Sequence, residues 1–206
     1  MKVLLINGSP NEKGCTYTAL NEAAGVLNEN GVETEIVSIG KQPIRGCIGC
    51  GGCSNSHRCV FQDDIVNGII EKMEAADGLI IGSPVYFASP NGNLISMLDR
   101  FFYAGGCFAH KPAAAVASAR RAGTTATLDD LNKYFTIRQM PVVSSTYWNM
   151  VHGSCPEDVA KDEEGLQSMR NLGRNMAWLL KCIEAGKEKG VETPVSENTK
   201  RTNFIR

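Results

Sequence analysis

Aromatic residues make up only 7% of this 206-residue chain, with two tryptophans and three histidines. His57, His110 and His152 stand far apart, in no Ser/His/Asp or His-x-x-His arrangement, so nucleophilic hydrolysis and an imidazole-based metal centre find no support. No apolar run reaches the roughly 18 residues of a membrane span, and no span is expected. Neither sign of charge prevails: 21 Lys plus Arg against 22 Asp plus Glu gives a formal net charge of -1. That balance excludes a global positive field for holding nucleic acid or an anionic membrane surface, and neither is expected as a partner. Internal repeats and low-complexity blocks are missing too. The opening MKVLLINGSP has too short an apolar stretch for a secretory leader, so a cytoplasmic location is expected.

What is present is an ordinary globular composition, 43% hydrophobic and 21% charged, at a length that suits one large α/β domain. Val3-Leu4-Leu5-Ile6 is a continuous apolar run, the pattern of a strand covered on both faces. Thr16 to Glu29 reads as a helix, with Leu20, Ala23, Ala24 and Leu27 on one stripe and Asn30-Gly31 as its stop. Val32 to Ile39 alternates and suits a strand near a sheet edge. Further strands are expected at Gly78 to Gly82, Ala113 to Ala117 and Pro141 to Tyr147, and a last helix at about Gln167 to Ala185. Strands alternating with helices imply βαβ crossovers, hence an α/β fold: a doubly wound, five-stranded parallel sheet with helices on both faces. The domain is expected to run from residue 1 to 185, with a Cys-rich insert at 46–60. A polar tail follows, 186–206, without periodicity until Phe204-Ile205, either loose or docked on a neighbouring subunit.

In such a sheet, ligands bind beyond the carboxyl ends of the strands. The first of these loops, Gly8 to Thr16, has neither the Gly pattern of dinucleotide folds nor the Gly-Lys-Ser/Thr of a nucleoside-triphosphate loop. It offers hydroxyls, an amide and free backbone N–H groups at a helix start, which can wrap a terminal phosphate monoester. A Ser-Pro turn before a Thr-initiated helix accounts equally for this loop alone. The third strand ends in Ser83-Pro84-Val85-Tyr86-Phe87-Ala88-Ser89-Pro90, a stiff aromatic loop that could wall a flat ring. The fourth ends in Ser118-Ala119-Arg120-Arg121-Ala122-Gly123-Thr124, a supply of donors for a polar edge. Taken singly, these aromatics also suit core or surface and these arginines a solvated face. Trp148 to Gly153 follow the fifth expected strand, placed either to close a crevice or to bury an aromatic beside a turn. Asp63-Asp64 reads as helix-start acids rather than a catalytic carboxylate pair.

Four of the eight cysteines are crowded into Cys47-x2-Cys50-x2-Cys53-x5-Cys59. In a reducing compartment such clustering points to metal ligands or redox thiols rather than structural disulfides. Three closely spaced cysteines with a fourth shortly after let one loop wrap a cubic cluster, and Gly49, Gly51 and Gly52 free the backbone to turn its N–H groups toward sulfide. Zinc more often takes two separated C-x2-C knuckles. The residues alone leave an iron-sulfur cluster, zinc and metal-free thiols all open. Cys107, Cys155 and Cys182 are scattered and read as small core residues.

Gly8-Ser9-Pro10, Gly14-Cys15-Thr16 and Ser83-Pro84-Val85-Tyr86-Phe87, followed by Leu98-Asp99-Arg100, resemble the flavodoxin-like NADPH-dependent FMN reductase family over roughly residues 2 to 150. The resemblance implies that Ser9, Asn11, Cys15 and Thr16 hold an FMN phosphate. Pro84, Val85, Tyr86 and Phe87 would border the flavin, and Ser118, Arg120 and Gly123 would contact its far edge. Where relatives commonly carry Asn, this chain has Cys15, whose thiol is a weaker donor. The cysteine spacing is similar to that of the iron-sulfur flavoprotein subgroup, which implies a [4Fe-4S] cluster on Cys47, Cys50, Cys53 and Cys59. The implied activity is FMN-dependent oxidoreduction with NAD(P)H as electron donor and a small molecule or ferredoxin-type protein as exchange partner, in a homodimer or homotetramer. No catalytic side chain is expected, because the cofactor carries the chemistry. A non-catalytic FMN/iron-sulfur carrier reduced by a partner protein, or a zinc-stabilised binding protein without flavin, are the alternatives.

Overall fold

Continuous apolar strands need cover on both faces, and each receives it. In the computed structural model, which describes residues 1–200 and Thr202, β1 (Lys2–Asn7) lies between β2 (Glu33–Ser38) and β3 (Gly78–Tyr86). Beyond β3 come β5 (Ala113–Ala119) and β6 (Met150–His152), so the order is β2-β1-β3-β5-β6 with every neighbour on this path parallel. This order reverses direction at β1 and β3, the doubly wound pattern whose switch point forms a crevice. Side chains alternate across the sheet. Leu4 and Ile6 join the core packed under α3 (Val66–Glu74), α4 (Gly92–Ala104) and α5 (Thr124–Ile137). Val3 and Leu5 join the core under α1 (Cys15–Glu29) and α7 (Glu163–Glu188). Two short helices, α2 (Cys53–Ser56) and α6 (Pro156–Val159), sit in the connections. No helix among the described residues is long and apolar enough to cross a membrane.

The sheet has six strands rather than five. The addition is β4 (Ser89–Pro90), which folds back antiparallel on β3 through Tyr86↔Ser89 and Val85↔Pro90. The fifth parallel strand is also displaced from its expected position at Pro141 to Tyr147. The chain does reach β5 there, where Ala113 N donates to Pro141 O at 2.9 Å and Val143 N to Ala113 O at 2.8 Å, but only one parallel bridge forms, Ala113↔Val142. It then loops out: Ser145 Oγ bonds Tyr147 O at 2.7 Å and Asn175 Nδ2 bonds Ser144 O at 2.8 Å. Asn149 closes the gap with its side chain, donating to Ala115 O at 3.1 Å, and the ladder resumes at Met150. Local hydroxyl and amide bonds have displaced the backbone ladder.

α7 outruns its apolar stripe at both ends. Asp162 Oδ1 accepts from Gly165 N at 2.9 Å at the start, and the helix persists to Glu188. Beyond it, the tail turns back on its own chain, with Val191 N bonded to Gly186 O at 2.9 Å and Ser196 Oγ to Gln139 Oε1 at 2.7 Å. The Phe204-Ile205 pair lies outside the described residues. Cys107 and Cys182 are exposed and Cys155 is half-buried, so these three cysteines do not serve the core.

Candidate functional site

The carboxyl end of β1 runs into a loop held from within. Asn7 is fully buried and its amide Nδ2 donates to Glu12 O at 3.2 Å, Asn11 O at 3.4 Å and Ser38 Oγ at 3.1 Å. Its Oδ1 accepts Ser9 N at 3.1 Å, and Ser9 Oγ in turn accepts Asn11 N at 3.1 Å. Sequence reasoning passed over Asn7; a polar residue closing an otherwise apolar buried strand was the available signal. The loop also lies flat against β3: Gly8 N donates to Gly82 O at 2.8 Å, and a Cβ on Gly8 would stand 2.7 Å from that oxygen. α1 begins at Cys15 with no side-chain cap and no acid in its first turn, so the N–H groups and positive dipole end stay available to an anion.

Three loops meet above this helix start. Thr16 and Ser118, both buried, share a hydroxyl hydrogen bond of 2.8 Å that ties α1 to the tip of β5. Gly123, at φ 88°, packs so tightly on the β3–β4 hairpin that a Cβ would lie 2.7 Å from Ala88 Cα and 2.9 Å from Val85 Cγ1. The two-residue hairpin turn is built from Phe87 (φ 49°) and Ala88 (φ 60°), a left-handed pair usually reserved for Asn-Gly. Strain of this kind persists where surrounding structure enforces it, commonly beside a ligand. Phe87 is fully exposed at the tip, at 105% of the reference area, and Tyr86 is 46% exposed. Thus Thr16 meets Ser118 and Gly123 meets the Val85–Ala88 hairpin, to which Pro84, Tyr86 and Phe87 also belong, while Ser9 lies in the loop that leads into α1. Asn11 and Arg120 are exposed. The Cys15 sulfur lies 3.7 Å from Gly153 O, and burial pushes its thiol up, which favours the neutral form. Trp148 precedes β6 and is exposed, whereas Gly153 follows β6 and reaches α1.

The cysteine loop forms a second site. Cys47, Cys50, Cys53 and Cys59 line one cavity of about 670 Å³, closed by Phe61 and by Asp99, Arg100 and Tyr103 of α4. Gly49 and Gly51 take φ of 63° and 70°, and a Cβ there would strain the loop. Cys59, the buried member, is clamped by Asn67, which accepts from Cys59 N at 2.8 Å and donates to Cys59 O at 2.9 Å. All eight cysteines are free thiols. Among the described residues, no three His, Cys, Asp or Glu side chains converge on a common metal position. Four thiols around one cavity are nevertheless the donor type and number that an iron-sulfur cluster takes.

Behind the cavity sit two polar pairs that sequence reasoning missed. Asp64 assists the start of α3, accepting Val66 N at 3.1 Å, and also ion-pairs with the buried Arg100. Asp99 accepts the Tyr134 hydroxyl at 2.5 Å, and burial together with Asp99 raises the Tyr134 pKa far above its usual 10.0. The folded state then keeps a phenol proton that the unfolded chain releases near pH 10, so Tyr134 adds stability below that pH and loses it as the pH rises further. Urea unfolding at pH 8 and 11 checks this: wild type is expected to lose more stability than Tyr134→Phe over that interval. Equal losses would mean that the Asp99 bond does not perturb Tyr134.

The NADPH-dependent FMN reductase family model matches residues 1–154, the segment that carries β1 to β6, α1 to α5 and every loop of the crevice. The chain belongs to this family. Within it, the chain is 36% identical over 193 residues to an iron-sulfur flavoprotein of Methanocaldococcus jannaschii, covering 89% of this chain and 100% of that protein. An iron-sulfur flavoprotein of Methanosarcina thermophila is 29% identical over 196 residues, covering 92% of this chain and all of the relative. The flavodoxin-like fold is shared with a flavodoxin from the domain Archaea, at TM-score 0.60 and 13% identity over 88% of this chain and 99% of that one. As an FMN reductase family member of the iron-sulfur flavoprotein subgroup, the chain presents both the strand-end crevice and the cysteine cavity.

Proposed function

We propose that this protein is an FMN-dependent oxidoreductase that draws electrons from NAD(P)H and exchanges them through a [4Fe-4S] cluster in the cysteine cavity. The observation that carries this reading is the convergence of three strand-end loops on an uncapped helix start, through the Thr16–Ser118 bond and the Gly123–Ala88 approach. Ser9, Thr16 and the first-turn N–H groups of α1 would hold the phosphate without a lysine, because the helix dipole favours the anion. The Pro84–Phe87 hairpin would wall one face of the ring, and Ser118, Arg120 and Gly123 would line its far edge. FMN supplies the exchange between two-electron and one-electron chemistry; the side chains bind, orient and exclude water. Cys47, Cys50, Cys53 and Cys59 would ligate the cluster. The exposure of Phe87 fits a homodimer or homotetramer in which a second copy covers the crevice, and a small molecule or a ferredoxin-type protein would complete the electron route.

Titration of oxygen-free protein with riboflavin 5′-phosphate tests the crevice: saturable quenching of flavin emission is expected, then steady NAD(P)H oxidation with an added acceptor. Binding without NAD(P)H turnover would leave an electron carrier reduced by a partner protein. No binding would remove the crevice assignment.

A further inference from the structure

Arg100 is among the largest fully buried side chains of the described residues, 1% exposed, and its guanidinium is used on two sides. Nη1 and Nη2 engage both carboxylate oxygens of Asp64, with Nη2 3.0 Å from Oδ1, and Nη1 also donates to Arg45 O at 3.2 Å. Nη2 lies 3.5 Å from Phe61 O, and the Phe61 ring covers the group with its centroid 5.2 Å from Cζ. These bonds satisfy a buried ion pair, which by itself is weak ground for a role beyond structure. Nε is different. It donates to Cys59 Sγ at 3.1 Å, the one buried thiol of the four that line the cavity. Asp64 is only 11% exposed, so solvent screens this assembly little.

We propose that Arg100 is a positioning residue that sets the reduction potential of the cluster: it donates Nε–H to the Cys59 sulfur and favours the reduced state, while Asp64 opposes its charge. The inference rests on the cluster assignment under Proposed function. Reduction adds one electron and so places more negative charge on the cluster and its thiolate ligands. A fixed donor to a ligand sulfur stabilises that charge and raises the potential. The carboxylate behind the guanidinium works against it. Removing the donor and removing the carboxylate therefore shift the potential in opposite directions, an outcome that a purely structural pair does not produce.

The test uses full-length wild type, Arg100→Gln, Arg100→Lys and Asp64→Asn, prepared without oxygen and assayed for iron and acid-labile sulfide. Each is then titrated with dithionite and followed by electron paramagnetic resonance and absorbance. Arg100→Gln is expected to shift the oxidised-to-reduced equilibrium about tenfold toward oxidised, a midpoint about 59 mV more negative for one electron. Asp64→Asn is expected to move it the other way, and Arg100→Lys, which keeps the charge but not the fork, to fall between wild type and Arg100→Gln. The flavin midpoint serves as control and stays in place. Should all variants hold iron at the wild-type potential, the inference is overturned. Should Arg100→Gln alone lose iron, Asp64→Asn decides: an upward shift supports the inference and an unchanged potential overturns it. Loss of iron from both variants would show that the pair only braces the loop, and would also overturn it. Wild type without iron or sulfide is a separate failure, which removes the cluster assignment and this inference with it.

Discussion

Replacing Cys50 and Cys53 together with alanine is expected to strip the iron from protein prepared without oxygen and to leave FMN binding intact. Both residues line the cavity, and with their sulfurs gone only Cys47 and Cys59 would remain of the four proposed ligands. Changes to outer partners of a metal site already cost about 10–100-fold in affinity, so the loss of two direct ligands is expected to lower iron per chain by more than about tenfold. The fold has little stake in these side chains, since Cys50 is exposed and Cys53 only half-buried. None of the crevice residues lines the cavity, so flavin retention should match wild type. Iron, sulfide and flavin stoichiometry on the same preparation reads all of this at once. Unchanged iron in the double variant would mean that the metal, if bound, is held elsewhere.

A second large effect is expected from Gly8→Val, on the flavin rather than on the metal. Two neighbours stand in the way of a Cβ at this position: Leu94 Cδ2 at 2.5 Å and Gly82 O at 2.7 Å. Leu94 can rotate aside. The Gly82 carbonyl cannot, because it belongs to central β3 and already accepts Gly8 N. The loop must therefore lift, carrying Ser9 and the Asn7 network with it. Overpacking of this kind costs about 1–3 kcal/mol of stability. FMN affinity is expected to fall about a hundredfold, or about 2.7 kcal/mol, as the phosphate contacts lose register. Gly25→Ala is the matched control: Gly25 lies within α1 with nothing within 4 Å of an added Cβ, and neither affinity nor folding should suffer. Wild-type affinity in Gly8→Val would place the phosphate away from this loop.

The parts of the fold legible in the sequence are those where one physical cause dominates. β1, β3 and β5 are buried on both faces and so read as unbroken apolar runs, and α1 and α7 carry stripes at helical spacing. The cysteine cavity was legible because all four cysteines that line it lie within one short stretch of chain. What escaped depends on contacts between distant residues or on conformations the residue types do not advertise. Arg100 and Asp64 are 36 positions apart and pair only after α3 and α4 pack. The β3–β4 hairpin was hidden because Phe87 and Ala88 occupy left-handed backbone without the glycine or asparagine that normally marks it. The last strand was misplaced because a β-branched run at Val142-Val143 is overruled by the side chains of Ser145 and Asn149.

That broken last strand shapes how copies of this protein can meet. A long, evenly hydrogen-bonded margin invites a neighbouring molecule to extend the sheet. Here one margin is a three-residue stub behind a looped-out segment, and the other, β2, carries Glu33 and Glu35 in ion pairs with Lys2 and Lys72. Neither border offers a template for runaway strand addition, so open-ended growth of the sheet from copy to copy is blocked at both margins.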